Sequence, residues 1–403
     1  MIRTERISLN IIRETLSGIN GDYSADTDWN AIKQELANQA LIPFAYGVLE
    51  RGCVPDSTLR QEWINYIFFH ISGWYKLLEI QDELVRLLTD SGFKFVIMKG
   101  LANAVLYPKP EIRTLGDVDF MVRKEEFEEI YKVLLQEGFK VVDDGDAKKH
   151  HVSLKKDGVI FEMHKRPAGT KRKYTLDNQR IVDYFQEGLD TSEAIDLYGY
   201  SFPVFDPVRN GLMLLMHTAG HMQGGIGIRH LLDWGVYADR YLTDMFWKEK
   251  FQQMANHLHV DSLAMIMTRI CQKELGICKG RTWCMEADDN ICNSLLEYMM
   301  SQGNFGCKAG GTDAGAKFFT EGLDSEGFFR RLDRSSRYSM PTVNKFPLLR
   351  PVGWIYQMGR YINRSFHREN IMNSLHEDIE SGKSRRKLME DLGIKEWLKT
   401  DKR

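Results

Sequence analysis

The spacing of apolar residues changes twice along the chain and divides it into three parts. Through about residue 90 these residues return at helical spacing. Ile64, Phe68, Ile71 and Trp74 to Leu78 share a stripe, and an amphipathic run over 77–88 stops near Gly92. The period then shortens: residues 93–98 read as a strand, 100–107 as a helix closed by Pro108 and Pro110, and 118–122 as a second strand. Residues 124–138 form a helix stopped by Gly138, and 139–142 a third strand. Segments 151–154 and 159–163 flank Lys155-Lys156-Asp157-Gly158, whose Asp-Gly pair predicts a hairpin turn. Helical spacing resumes at Pro207 over 207–221 and 229–241, and again after Pro351 toward the charged stretch 377–403. This alternation predicts an α+β protein: a small mixed-sheet catalytic core at 91–200, an N-terminal helical region at 1–90 and a C-terminal helical domain at 201–403.

Composition narrows the class. A chain of 403 residues, 43% hydrophobic with eight Trp, is long enough for two or three packed units. A formal charge of −2 gives no global attraction to nucleic acid or anionic membrane. Five of the six cysteines lie between Cys271 and Cys307 with no C-x-x-C pair, which predicts buried reduced thiols. MIRTERISLN carries charges where a signal peptide needs an apolar core, and no run of about 18 apolar residues follows, so a cytoplasmic protein with no membrane partner is expected.

The chemistry centres on Arg113-Thr114-Leu115-Gly116-Asp117-Val118-Asp119. Asp-x-Asp entering a strand puts both carboxylates on one face, since side chains alternate with period two. Like charges about 4 Å apart repel by roughly 4 kcal/mol at an effective dielectric near 20, so such a doublet calls for a cation. Oxygen ligands favour Mg²⁺ or Mn²⁺. A solvated turn leading into an ordinary strand is the alternative.

Further motifs fall into order around the doublet. Met98-Lys99-Gly100 ends a strand and opens a helix, the doublet follows, and Glu162 lies in the later strand Ile160-Phe161-Glu162-Met163. That order resembles the DNA polymerase β-like nucleotidyltransferase superfamily. More closely, Lys99-Gly100, Arg113 with Gly116-Asp117-Val118-Asp119, Gly138-Phe139, Phe161-Glu162-Met163-His164, His217-x-x-x-His221 and Arg229-His230-Leu231-Leu232-Asp233 resemble the bacterial family of uncharacterised nucleotidyltransferases, over about residues 40 to 240. The resemblance implies transfer of a nucleoside monophosphate from an NTP, such as ATP, to a hydroxyl of an unidentified acceptor: a small molecule, a protein or RNA. Asp117, Asp119 and Glu162 would hold the metal ions, and two divalent ions would lower the charge on the attacking and leaving oxygens. Gly100 would let backbone amides approach the triphosphate, with Gly116 beside it, and Lys99 and Arg113 would contact phosphate. Arg113 could instead pair with Asp117 or Asp119. One residue departs from the pattern: Leu101 stands where a second small residue belongs, which favours a nucleotide-binding module without turnover as an alternative. A partner-binding, toxin-neutralising role for the helical C-terminal half is another.

The remaining features are weaker. From Lys148 to Arg180 ten Lys or Arg face three acids, a local charge suited to nucleotide phosphates or an RNA acceptor, with no aromatic RNA-binding signature. His164 shares a strand face with Glu162, and His150 and His151 precede the hairpin. His217 and His221 are four apart but lack the Glu of H-E-x-x-H, so hydrogen-bonded packing is expected for these histidines. Arg229 and Asp233, also four apart, would brace a helix or reach the cleft. The stretch 303–315 reads as a glycine-rich loop, and Ala316 spoils a near P-loop at 310–317.

Overall fold

The computed structural model describes residues 1–143, 151–167, 176–309, 332–333, 336–337, 340, 342–366 and 371–398. The near P-loop, His150, and Lys148, Lys149 and Lys171 to Lys173 of the basic segment lie outside these residues.

Helices α1 (Arg3–Ser17), α2 (Trp29–Asn38), α3 (Tyr46–Glu50) and α4 (Ser57–Asp90) precede the first strand. The central part runs β1 (Phe95–Met98), α5 (Gly100–Ala104), β2 (Val118–Val122), α6 (Phe127–Gln136), β3 (Lys140–Asp143), β4 (His151–Lys156), β5 (Val159–His164), α7 (Leu176–Glu187), β6 (Glu193–Leu197) and β7 (Tyr200–Val204). Helices α8 (Pro207–His221) and α9 (Ile228–Tyr241) open the C-terminal part. The strands make one seven-stranded mixed sheet in the order β3-β4-β5-β2-β1-β7-β6. Its centre combines both pairings: β2 is antiparallel to β1 and parallel to β5, and β1 is parallel to β7. The fold is α+β with helices flanking the sheet, as the alternating pattern predicts.

The two faces of the sheet bury different partners. Phe95, Ile97, Val118, Phe120, Val122, Phe161 and Met163 pack against Trp74 to Leu88 of α4 and against α5 and α6. Val96, Met98 and Met121 point the other way, into a larger core that includes Phe185 of α7, Leu212 to Met216 of α8 and Leu231, Leu232 and Trp234 of α9. Full burial of such side chains contributes roughly 1.5–3 kcal/mol each, which fixes strand register on both sides. Leu101 is fully buried in the first of these cores.

Caps and close approaches place the helices over the sheet. Asp56 accepts from Thr58 and Leu59 N–H at the start of α4, and Asp206 accepts from Val208 and Arg209 N–H before Pro207 starts α8. Where α9 begins, a Cβ on Gly227 would lie 2.7 Å from Asn304 N and 2.8 Å from Gly303 C, so a side chain there would push away the 303–306 turn. That turn carries Phe305. All six cysteines are free. Cys271, Cys278, Cys284 and Cys292 are buried as expected, but Cys53 is half-buried and Cys307 exposed. No helix among the described residues is long and apolar enough to cross a membrane.

Candidate active site

Strand register brings the carboxylates together. Asp119 on β2 lies opposite Glu162 on β5, and Met98, the last residue of β1, lies opposite Asp119 on the other side. Alternation puts Asp119 on the face of Met121, toward α8 and α9, and sends Phe120 into the opposite core. His164, two residues beyond Glu162, shares its face. The His164 Nε2 is 3.0 Å from Asp119 Oδ1 and 3.5 Å from Glu162 Oε2. Among the described residues, Asp119, Glu162 and His164 form a group able to hold a metal ion, their ligand atoms all within 4.8 Å of one another. His151 on β4 backs them, with its ring 5.1 Å from that of His164 and its Nε2 3.8 Å from Glu162 Oε1.

Lys99 closes the site from β1. Its backbone holds φ 52° and ψ −129°, a region costly for a residue with a Cβ. In that conformation its Nζ lies 2.8 Å from Asp119 Oδ1 and donates to His217 Nδ1 at 3.3 Å. A lysine can only donate, so Nδ1 of His217 accepts and its proton sits on Nε2. Gly100 follows at φ 30° and opens α5, whose five residues are shorter than expected.

The remaining expected residues separate. Asp117 is exposed where the loop enters β2, outside the close group, and Gly116 is exposed beside it. Arg113, expected at phosphate or paired with Asp117 or Asp119, instead forks onto Asp233 of α9, Nε to Oδ1 at 2.7 Å and Nη2 to Oδ2 at 2.8 Å. Asn103 Nδ2 and Tyr107 Oη also donate to Asp233 Oδ1, at 3.0 and 2.7 Å. A buried guanidinium needs a buried carboxylate, and the only sequence sign of this one was Asp233 itself, 120 positions away. Two described lysines of the basic segment point to α4 and α6: Lys156 pairs with Glu83 at 3.4 Å and Lys165 sits 4.6 Å over the Phe127 ring.

Ionisation follows from these contacts. Burial raises the Asp119 pKa, but the Lys99 ammonium and the His164 hydrogen bond outweigh it, and the carboxyl ends well below the ordinary range. The His164 hydrogen bond lowers Glu162 against the effect of burial. Asp117, though its side chain reaches solvent, is flanked by protein, and this desolvation first and the Asp119 charge second raise its pKa. For His164 itself, burial disfavours the proton, but hydrogen bonds to Asp119 and Glu162 win and raise its pKa. The donor set fits a divalent cation: two converging carboxylates supply charge and an imidazole a third ligand, with Asp117 adjacent.

A further wall faces the group from α8 and α9. His217 and His221 have ring centroids 4.3 Å apart, and His230 stacks 5.8 Å from His217. Phe305 meets both His221 and His230 at 5.2 Å, and the Arg229 guanidinium lies over its ring at 5.2 Å.

A family model described as "Uncharacterised nucleotidyltransferase" matches residues 25–276, more than half of the chain and every residue of the site but Phe305. No curated protein matches significantly. The chain belongs to this nucleotidyltransferase family, which implies an NTP substrate.

Proposed function

We propose that this member of the family moves a nucleoside monophosphate from an NTP, ATP being the first to test, onto a hydroxyl of a small molecule, protein or RNA. Residues 91–200 would form the catalytic domain, on a fold of the DNA polymerase β-like type, and the flanking helical regions, 1–90 and 201–403, the acceptor side. The observation that supports this most directly is the register of Asp119 against Glu162 beside His164, on the sheet face turned to α8 and α9.

Asp117, Asp119 and Glu162 are the proposed holders of Mg²⁺ or Mn²⁺, and His164 joins them in this reading. A divalent ion bound there would neutralise charge on the attacking and leaving oxygens of an in-line displacement. Glu162, half-buried, would polarise the acceptor hydroxyl. Lys99 holds Asp119 ionised and in place.

Two observations bear on turnover. The bulk of Leu101 beside Gly100 favours a silent module, but its side chain is taken up by the core under α4. Lys99 argues the other way, since its ammonium already neutralises Asp119. Transfer from a labelled NTP decides. Asp117→Asn with Asp119→Asn should reduce metal-dependent transfer to background, and chelation should do the same reversibly to the unmodified protein. Equal activity in the double variant would sink the assignment. Tight NTP binding without pyrophosphate release would establish the module.

A further inference from the structure

Arg229 is a cation without an anion. It occupies the first turn of α9 and is half-buried, yet among the described residues it makes no hydrogen bond and no ion pair. The nearby carboxylate, Asp233, has both oxygens occupied by Arg113, with Asn103 and Tyr107 on one of them. What holds the Arg229 guanidinium is the Phe305 ring at 5.2 Å. Burial and then the Arg113 charge lower its pKa, outweighing the attraction of Asp233 and Asp117, neither of which it bonds.

A continuous wall joins it to the metal-capable group. Phe305 touches His230 and His221, His230 stacks on His217, His217 accepts from Lys99, and Lys99 pairs with Asp119. The wall is cationic and donor-bearing but holds no acid of its own. Both ring nitrogens of His230 are buried without a hydrogen-bond partner among the described residues. The three imidazoles do not converge as a metal-ligand group among the described residues, and the Arg229 guanidinium over Phe305 beside them attracts an anion. The anion such a wall fits is planar-fork compatible, multiply charged and rich in acceptors, which describes a polyphosphate.

We propose that Arg229, braced on Phe305 and backed by Lys99 and His230, is the polyphosphate-binding residue of the cleft, the role the sequence suggests for Arg113. Arg113 is then a positioning residue, which ties up Asp233 and so leaves Arg229 free for ligand. This proposal rests on the reading of the chain as an NTP-dependent transferase, and its test separates the two.

Binding of inorganic tripolyphosphate, and of a non-hydrolysable ATP analogue, would be measured by calorimetry on the full chain, and Mn²⁺ binding by electron paramagnetic resonance. Arg229→Ala should weaken tripolyphosphate roughly 10- to 100-fold, the worth of charge-assisted hydrogen bonds, with Mn²⁺ affinity unchanged. Arg229→Lys should recover part of the loss, because the charge stays and the fork goes. If the alanine variant does not fold, Arg229→Gln, close in length and able to lie on Phe305, carries the same comparison. Unchanged tripolyphosphate affinity in a folded variant overturns the proposal and leaves Arg229 a ring-stacked structural cation. If the unmodified protein binds tripolyphosphate through Arg229 but no Mn²⁺, the anion site stands and the transferase reading falls.

Discussion

The two faces of the sheet are built by the same strands and have opposite characters. Along β2, Val118, Phe120 and Val122 enter the core beneath α4, whereas Asp119 faces α8 and α9 among Lys99, His164 and Glu162. One residue separates a fully apolar surrounding from a site that gathers charge. The strands therefore act as a rigid mount, with packing on one side fixing polar geometry on the other to within the fraction of an ångström that ligand binding requires.

That contrast can be broken most severely at neighbouring residues. Phe120→Ala, at a fully buried position, should cost about 3–5 kcal/mol of stability while activity per folded molecule persists. Chemical denaturation with activity normalised to folded protein tests this; parallel loss of both would mean the faces are not separable. A similar loss of stability is expected from the cleft side. Asp233→Ala strands the buried Arg113 guanidinium and should cost about 3 kcal/mol or more, whereas Asp233→Ala with Arg113→Leu should restore part of it, a coupling read from the double-mutant cycle.

Smaller effects come with pH. Burial, then Arg229 and His221, hold the His230 pKa down at about 3, below the ordinary value of 6.5. A depressed histidine pKa means that the unfolded chain takes up the proton first. Stability present above pH 6.5 is therefore lost as pH falls from 6.5 toward 3. Between pH 7 and pH 5 this amounts to about 2 kcal/mol, which His230→Asn should remove from the urea-unfolding profile. An identical slope in wild type and variant would show that the imidazole takes up its proton at the same pH in the folded and unfolded chain.

Much of this architecture was legible because it is local. Period-two alternation exposed β2 and β5 and placed Asp117 with Asp119 on one strand and Glu162 with His164 on another, and helical spacing marked α4, α8 and α9. The spacing of His164 from Glu162 is visible in the sequence, but the pairing with β2 that brings Asp119 to it is not. Strands β6 and β7 escaped notice because Glu193-Ala194-Ile195-Asp196-Leu197 alternates weakly and Pro203 speaks against an interior strand. Arg113 could not be assigned from local pattern, since the carboxylate that claims it arrives on a helix 120 residues later. Long-range pairing of this kind leaves no periodic trace.

The strand order carries a dynamic consequence. β5, β2 and β1 occupy the middle of the sheet, and β3 and β6 take the two margins, with Val141 and Val142 of β3 42% and 55% exposed. Amide protons on β3 should exchange with solvent deuterium through local fraying, while those of Asp119 and Glu162 wait for global opening. The functional carboxylates would thus belong to the last part of the molecule to loosen, and any ligand must reach them past the helices, because the sheet beneath them does not breathe.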